Sequence, residues 1–152
     1  MQNEHPISNQ QTRQLLFWGM LLFFLGLIQG VLVQAAMNPR MALSAHLAAV
    51  QSGMALMIFG LLWRYVQLGS SALKVALITG IASMYLIWIA LTYGSLVGAG
   101  EATPIAANGF SASPSEESIF AAVITLGSVF GVVSGLLLVL GLARAAFGSD
   151  DG

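Results

Sequence analysis

Read as a pattern of apolar and polar positions, the chain falls into four long apolar runs, at about 15–37, 43–66, 73–97 and 118–141, each long enough to cross the roughly 30 Å hydrocarbon layer as a helix. The first run opens on Leu15-Leu16-Phe17-Trp18-Gly19-Met20, which puts Trp18 near an interfacial aromatic belt. Its Gly26 and Gly30, four residues apart, allow another helix to approach closely. Pro39 suits the beginning of the second helix, where its missing amide proton is not needed, and Asn38 stands where a cap is wanted. Polar and aromatic side chains punctuate the third run, with Tyr85 and Trp88 spaced to share a face. That face lines either a pocket or a contact between helices. Ser115-Glu116-Glu117-Ser118 reads as the start of the fourth helix, its carboxylates at the positive end of the helix dipole. Gly127, Gly131 and Gly135 then recur every four residues, the strongest packing signal in the chain, open to a helix of the same chain or of another subunit. Gly69-Ser70-Ser71 makes a short turn, and the stretch 98–110 is too rich in glycine, proline and small residues for a continuous helix. It either folds over the outer mouth or simply connects. The pattern predicts an all-α fold: one domain, 1–152, an integral membrane four-helix bundle.

Composition removes the soluble alternative. With 57% hydrophobic and 7% charged residues, a water-soluble domain of this length has nowhere to hide its apolar surface. The charges also orient the chain. Arg13, Arg64, Lys74 and Arg144 fall at helix ends that share one side, leaving Arg40 with Glu101, Glu116 and Glu117 on the other. The positive-inside rule then predicts both termini in the cytoplasm and a multi-pass protein of the cell inner membrane. The polar start, 1–14, lacks the basic region and cleavage pattern of a processed signal, so the first run is expected to be retained; the tail 148–152 is small and polar, with no evident site. The absence of cysteine removes disulfides, thiolate ligands and cysteine nucleophiles. A net charge of -1 without basic runs excludes nucleic acid as a partner.

Candidate chemistry centres on His46. An imidazole carried into an apolar run must be satisfied by a hydrogen bond, a metal or another polar group. Two readings stand: His46 closes a polar contact between helices, or it is a site. Gln51 and Ser52 add polar groups deeper in the same helix, but adjacent helical residues diverge by about 100°, so they cannot both point as His46 does. His46, Ala49, Gly53 and Gly60 form a small-residue side against which a helix or a flat cofactor can lie, with Met54 and Met57 either lining it or filling gaps.

Three ordered fragments carry a resemblance. Asn38-Pro39-Arg40 followed by Leu43-Ser44-Ala45-His46-Leu47, Leu73-Lys74 followed by Ala76-Leu77, and Gly98-Ala99-Gly100 followed by Pro104-Ile105-Ala106 make the chain similar to the hydroxylaminobenzene mutase and styrene oxide isomerase family. The resemblance spans all four helices. It implies a small membrane isomerase: the mutase converts hydroxylaminobenzene to 2-aminophenol, and its relative converts styrene oxide to phenylacetaldehyde. It further implies a homotrimer of four-helix subunits with b-type haem between them, a histidine of the second helix ligating iron, and a small aromatic substrate reaching the site from membrane lipid. His46 matches that ligand through Ala45-His46 and the downstream Gly53-Met54, which makes His46, Gly53 and Met54 the cofactor-binding candidates and His46 the metal ligand. Haem iron would act as a Lewis acid on the hydroxyl oxygen, with Ser52, Gln51 or Tyr85 holding the leaving oxygen or proton. Two positions depart from the epoxide pattern: Ser52 replaces an asparagine and Leu91 a pocket tyrosine, with Tyr85 and Tyr93 the nearest tyrosines. Serine cannot reproduce an amide's two-ended bonding and leucine has no phenolic proton, so the mutase is expected over the epoxide isomerase. A non-enzymatic membrane packing protein is the contrasting class.

Overall fold

The computed structural model describes residues 6–148. Residues 1–5 and 149–152, which carry part of the polar start and most of the polar tail, lie outside the described residues. Helix α1 spans Pro6–Leu32, α2 Pro39–Leu62, α3 Ser70–Val97, the single turn α4 Pro104–Ala107, and α5 Pro114–Phe147. Short 3-10 turns, Val33–Ala35 and Trp63–Tyr65, finish α1 and α2. Among the described residues, four helices are long and apolar enough to cross a membrane: Gln10–Ala35, Pro39–Tyr65, Ser70–Val97 and Pro114–Phe147. Their outward faces are apolar, with Val31, Leu61, Val132, Leu136 and Val139 all exposed, as a helix bundle in lipid requires.

Helix limits differ from the hydropathy pattern at polar ends. α1 begins before position 15 because its polar lead is helical and is tied down: Gln11 is buried and its carbonyl oxygen accepts the indole N–H of Trp63 at 2.9 Å. It also ends at Leu32 rather than 37, and α2 begins at Pro39 rather than 43. α5 runs past both predicted limits. Its cap is Ser113 rather than Ser115, with Pro114 in the first turn and the Glu116 carboxylate accepting from the Ser113 amide at 2.9 Å and hydroxyl at 2.6 Å.

α1 lies along α2, α5 lies along α3, and α2 meets α3 between them, with α1 also touching α3. Lipid offers apolar helices no hydrophobic reason to associate, so close van der Waals fit must do it. Glycine supplies that fit on both seams. A Cβ at Gly53 of α2 would stand 2.6 Å from the Phe23 amide nitrogen and 2.7 Å from the Gly19 carbonyl oxygen of α1. A Cβ at Gly127 of α5 would come within 3.0 Å of Ile87, and one at Gly131 within 2.8 Å of the Ser83 hydroxyl. The Gly127 and Gly131 positions are therefore occupied by α3 of the same chain, while Gly135 faces open space. That glycine spacing consequently gives no support to a subunit contact except at its last member.

Two apolar clusters fill the interior. Leu15, Leu22, Leu56, Trp63, Leu77 and Leu138 pack toward the end that holds the helix termini at 6 and 147. Met41, Ala45, Leu91, Ala99 and Phe120 pack toward the other. The 98–113 connection closes over this second end through two buried polar residues. Asn38, fully buried, caps α2 by accepting from the Met41 amide at 3.0 Å and donates to the Ala107 carbonyl at 2.8 Å. Glu117 accepts from the amides of Gly100, Glu101 and Ala112 at 2.9–3.1 Å. The connection is thus pinned across the mouth, and Gly98, at φ 82, makes the left-handed step that turns the chain out of α3.

Candidate functional site

The sequence places Ala49 and Gly53 one and two turns after His46 on α2, and small residues there let α1 come close enough for the imidazole to touch its backbone. His46 Nδ1 stands 2.7 Å from the Gly26 carbonyl oxygen. A carbonyl only accepts, so Nδ1 is the nitrogen that donates, and in the neutral imidazole Nε2 is then the one with the lone pair. The ring edge lies on Gly30, where a Cβ would fall 2.8 Å from both Cε1 and Nδ1 and 3.4 Å from Nε2. His46 is half-buried, at the border between the side of α2 that packs on α1 and the side that faces outward. The two readings of this histidine therefore meet in one residue: one nitrogen closes an interhelical hydrogen bond, and the other is left with the electron pair a metal needs.

The other sequence candidates do not gather round His46 inside one chain. Gly53 faces α1 as His46 does, but α1 fills the space beside it, so no flat group fits between α1 and α2 there. Met54 and Gln51 belong to the outward face, in an exposed line with Leu43, Leu47 and Ile58. Ser52 is half-buried and points away from them. Tyr85 donates its hydroxyl to the Trp18 carbonyl at 2.9 Å. That carbonyl and the one bound by His46 are eight residues apart on α1, about 12 Å along the axis, so Tyr85 and His46 use separate stretches of the same helix. Leu91 is buried beside Met41, Ala45 and Phe120, and Tyr93 packs against that cluster. Surface hollows of 370 Å³ beside Arg40, Ser44 and Thr103 and of 570 Å³ beside Gln10, Trp18 and Lys74 both exclude His46.

Helix α3 resolves its polar punctuation chiefly as contacts to α1. Trp88 donates its indole N–H to Gln29 Oε1 at 2.6 Å, and Gln29 Nε2 donates to Thr92 Oγ1 at 3.0 Å. Trp18, Tyr85 and Trp88 stack edge to face at 5.8 and 6.2 Å, the arrangement aromatic quadrupoles favour. Asn38 reads in the sequence as a cap and Glu117 as a helix-start carboxylate, but Asn38 also bonds a carbonyl 69 residues away and Glu117 amides 5–17 residues away, and Gln29 finds Thr92 at 63; no local spacing names such partners. The Gly26 carbonyl had no side-chain signal at all.

The family is decided by comparison of the whole chain. The sequence model described as styrene oxide isomerase matches residues 11–147, all four long helices included. The chain belongs to the styrene oxide isomerase family. It is 39% identical over 129 residues, 84% of this chain and 79% of the relative, to hydroxylaminobenzene mutase HabB of Ectopseudomonas oleovorans. It is 36% identical over 102 residues, 66% of this chain and 76% of the relative, to hydroxylaminobenzene mutase HabA of the same organism. No solved structure matches significantly. Membership makes this chain an enzyme of the isomerase and mutase class, and its candidate site is read accordingly.

Among the described residues no three His, Cys, Asp or Glu side chains cluster to hold a bare metal ion. A porphyrin-held iron asks the protein for less: one imidazole with a fixed tautomer and an apolar face beside it. His46, with Nδ1 bound to Gly26 and with Leu43 and Leu47 exposed alongside, fits that request.

Proposed function

We propose that this chain is an intramolecular mutase that converts hydroxylaminobenzene to 2-aminophenol with the help of b-type haem ligated by His46. The observation that carries the reaction is the identity to the two hydroxylaminobenzene mutases over most of their length. Support for the cofactor is the orientation of His46, whose Nδ1–H···O bond to Gly26 makes Nε2 the ligating nitrogen of the neutral ring. The iron would supply a Lewis acid for a substrate oxygen.

Conversion is an isomerisation: the N–O bond breaks, an ortho C–O bond forms, the ring proton leaves and the nitrogen gains one. Atoms and electrons balance without an oxidant or reductant. The chain's own contribution is to hold the aryl ring in an apolar environment and to manage one proton and one oxygen. Leu47 supplies apolar surface beside His46, and Met54 continues it two turns deeper on the same outward line. Gln51 on the outward face, or Ser52 on another, supplies an amide or a hydroxyl one to two turns deeper to hold the departing oxygen or relay the proton. Tyr85, engaged by the Trp18 carbonyl, joins them only if that bond opens.

The site is completed by other copies of the chain in a homotrimer. Gln51 supports this: it lies about 18 Å along α2 from its start, near the middle of the Pro39–Tyr65 span, and its side chain is exposed on an otherwise apolar outward line. A carboxamide at that depth facing lipid is costly, and a neighbouring subunit relieves it. The enzyme sits in the cell inner membrane with both termini cytoplasmic, as its Arg and Lys distribution implies. A second reaction, isomerisation of aryl epoxides, is disfavoured by Ser52 and Leu91.

Protein purified in native lipids without added haem tests the reading. It is expected to show a Soret band, a trimer mass, and 2-aminophenol as product from hydroxylaminobenzene. Phenylacetaldehyde from styrene oxide with no 2-aminophenol overturns the substrate; a colourless, iron-free and fully active preparation overturns the cofactor.

A further inference from the structure

We infer that Gly26 and Gly30 of α1 form a backbone seat that selects the Nδ1-protonated tautomer of His46 and sets the angle of its ring, so that these two glycines are positioning residues for the iron ligand. The inference rests on the haem reading above and goes beyond it, because it assigns the orientation of the ligand to a helix that contributes no ligand.

Two observations carry it. The first is the 2.7 Å contact from His46 Nδ1 to the Gly26 carbonyl oxygen. Backbone carbonyls within a helix normally accept from the amide four residues on, and a second donor reaches one only from the side, where no bulky side chain stands over it. Gly30 supplies that opening for the ring, while Gly26 lets Ala49 and Val50 of α2 close on α1. The second is the position of the ring on Gly30: any side chain there would begin 2.8 Å from the two ring atoms nearest α1. Real carbon atoms do not approach so closely, so a substituted residue 30 must push the ring away. His46 is attached to α2, which is held against α1 one turn away, where Ala49 and the Val50 amide close on Gly26. Ring rotation is the remaining response. It lengthens or breaks the bond to Gly26 and turns Nε2 from its direction.

The consequence is chemical rather than only steric. A hydrogen bond from Nδ1–H to a carbonyl makes the imidazole a more electron-rich ligand and keeps Nε2 free of a proton. Losing it frees the other tautomer, in which Nε2 carries a proton and cannot bind metal. Thus a methyl group added on α1 reaches the iron through the orientation of one ring on α2.

The test compares Gly30→Ala with Gly19→Ala, which adds a methyl group to the same seam but against Gly53 and Met57 rather than His46. Both variants are purified in native lipids with the wild type, and haem per chain, the Soret maximum and the ferric/ferrous midpoint potential are measured. Gly30→Ala is expected to weaken haem retention by on the order of tenfold or more and to move the Soret maximum and the potential of what remains. Gly19→Ala is expected to lower thermal stability while leaving the spectrum and potential of its bound haem unchanged. A second measurement stands if Gly30→Ala does not fold: ¹⁵N spectra of histidine-labelled wild type in its diamagnetic ferrous carbonyl form, with His46→Ala for assignment. They are expected to show a proton on Nδ1 of an iron-bound His46. A haem-bearing wild type whose Gly30→Ala variant matches it in retention, spectrum and potential overturns the seat alone, as does a His46 without a proton on Nδ1. A wild type that binds no haem overturns the cofactor reading, and the seat's role toward iron falls with it.

Discussion

The α1–α2 seam and the α3–α5 seam are built by the same device and end in different chemistry. Both bring two long helices together through glycines. In the α3–α5 seam those glycines meet serine hydroxyls: Gly131 faces Ser83, Gly80 faces Ser134, and Ser134 in turn donates to the Ala76 carbonyl at 2.9 Å. Each helix covers the other, and the Ser134 hydroxyl is spent within the seam. In the α1–α2 seam the last glycine pair meets an imidazole, which has two nitrogens and spends only one of them on α1. Close approach by itself therefore produces packing. It produces a candidate site where the side chain caught in the seam has a second functional atom directed elsewhere.

His46→Ala is the largest break in that contrast. It removes the one group that distinguishes the seams, and it is expected to abolish the Soret band and lower mutase turnover by about 100-fold or more, equivalent to roughly 3 kcal/mol or more of transition-state stabilisation. Absorption spectra and 2-aminophenol formation measure both. The α3–α5 counterpart, Ser134→Ala, is expected to leave spectrum and turnover near wild type while costing about 1 kcal/mol of stability for its lost hydrogen bond.

Gly53→Val sharpens the structural half of the comparison. Its first side-chain carbon would meet Phe23 and Gly19 backbone, which unlike a side chain cannot swing aside, so destabilisation of about 3 kcal/mol or more is expected. A large fall in thermal midpoint in lipid or detergent checks it.

The outer ends of the seams provide a finer comparison, since each is locked by one buried polar residue. Asn38→Ala removes the α2 cap and the bond to Ala107, and Glu117→Gln replaces a carboxylate that accepts three amides. Each is expected to cost about 1–3 kcal/mol and to speed proteolysis of the 98–113 connection. Only Asn38→Ala, two turns before His46 on the same helix, is expected also to reduce haem retention.

The smallest effect is expected at Gly135→Ala. A Cβ there meets nothing within 4 Å, so the variant should be neutral or stabilised by up to about 1 kcal/mol through helix propensity. Gly131→Ala, which must displace the Ser83 hydroxyl, is expected to be the less stable of the two in parallel thermal unfolding.

By itself the sequence determined the number of long helices, their apolar character, the start of α2 at Pro39 and the one histidine inside an apolar run. Those follow from composition and from rules that act within a few residues: hydropathy over one membrane thickness, proline in a first turn, a cap at Asn38. The ordered fragments around His46 also made the family legible before any coordinates. The tertiary structure decided how each signal was spent. Two glycine patterns became one seam around an imidazole and one around serines, and Glu117, which reads as a helix-start carboxylate, turned inward to hold the amides of a distant connection. The physical reason is that backbone carbonyls and amides look alike at every position in a sequence. Which of them His46, Asn38 or Glu117 meets depends on the register in which two helices pack, and that register is set by close contacts such as Gly19 on Gly53 that join residues far apart in the chain.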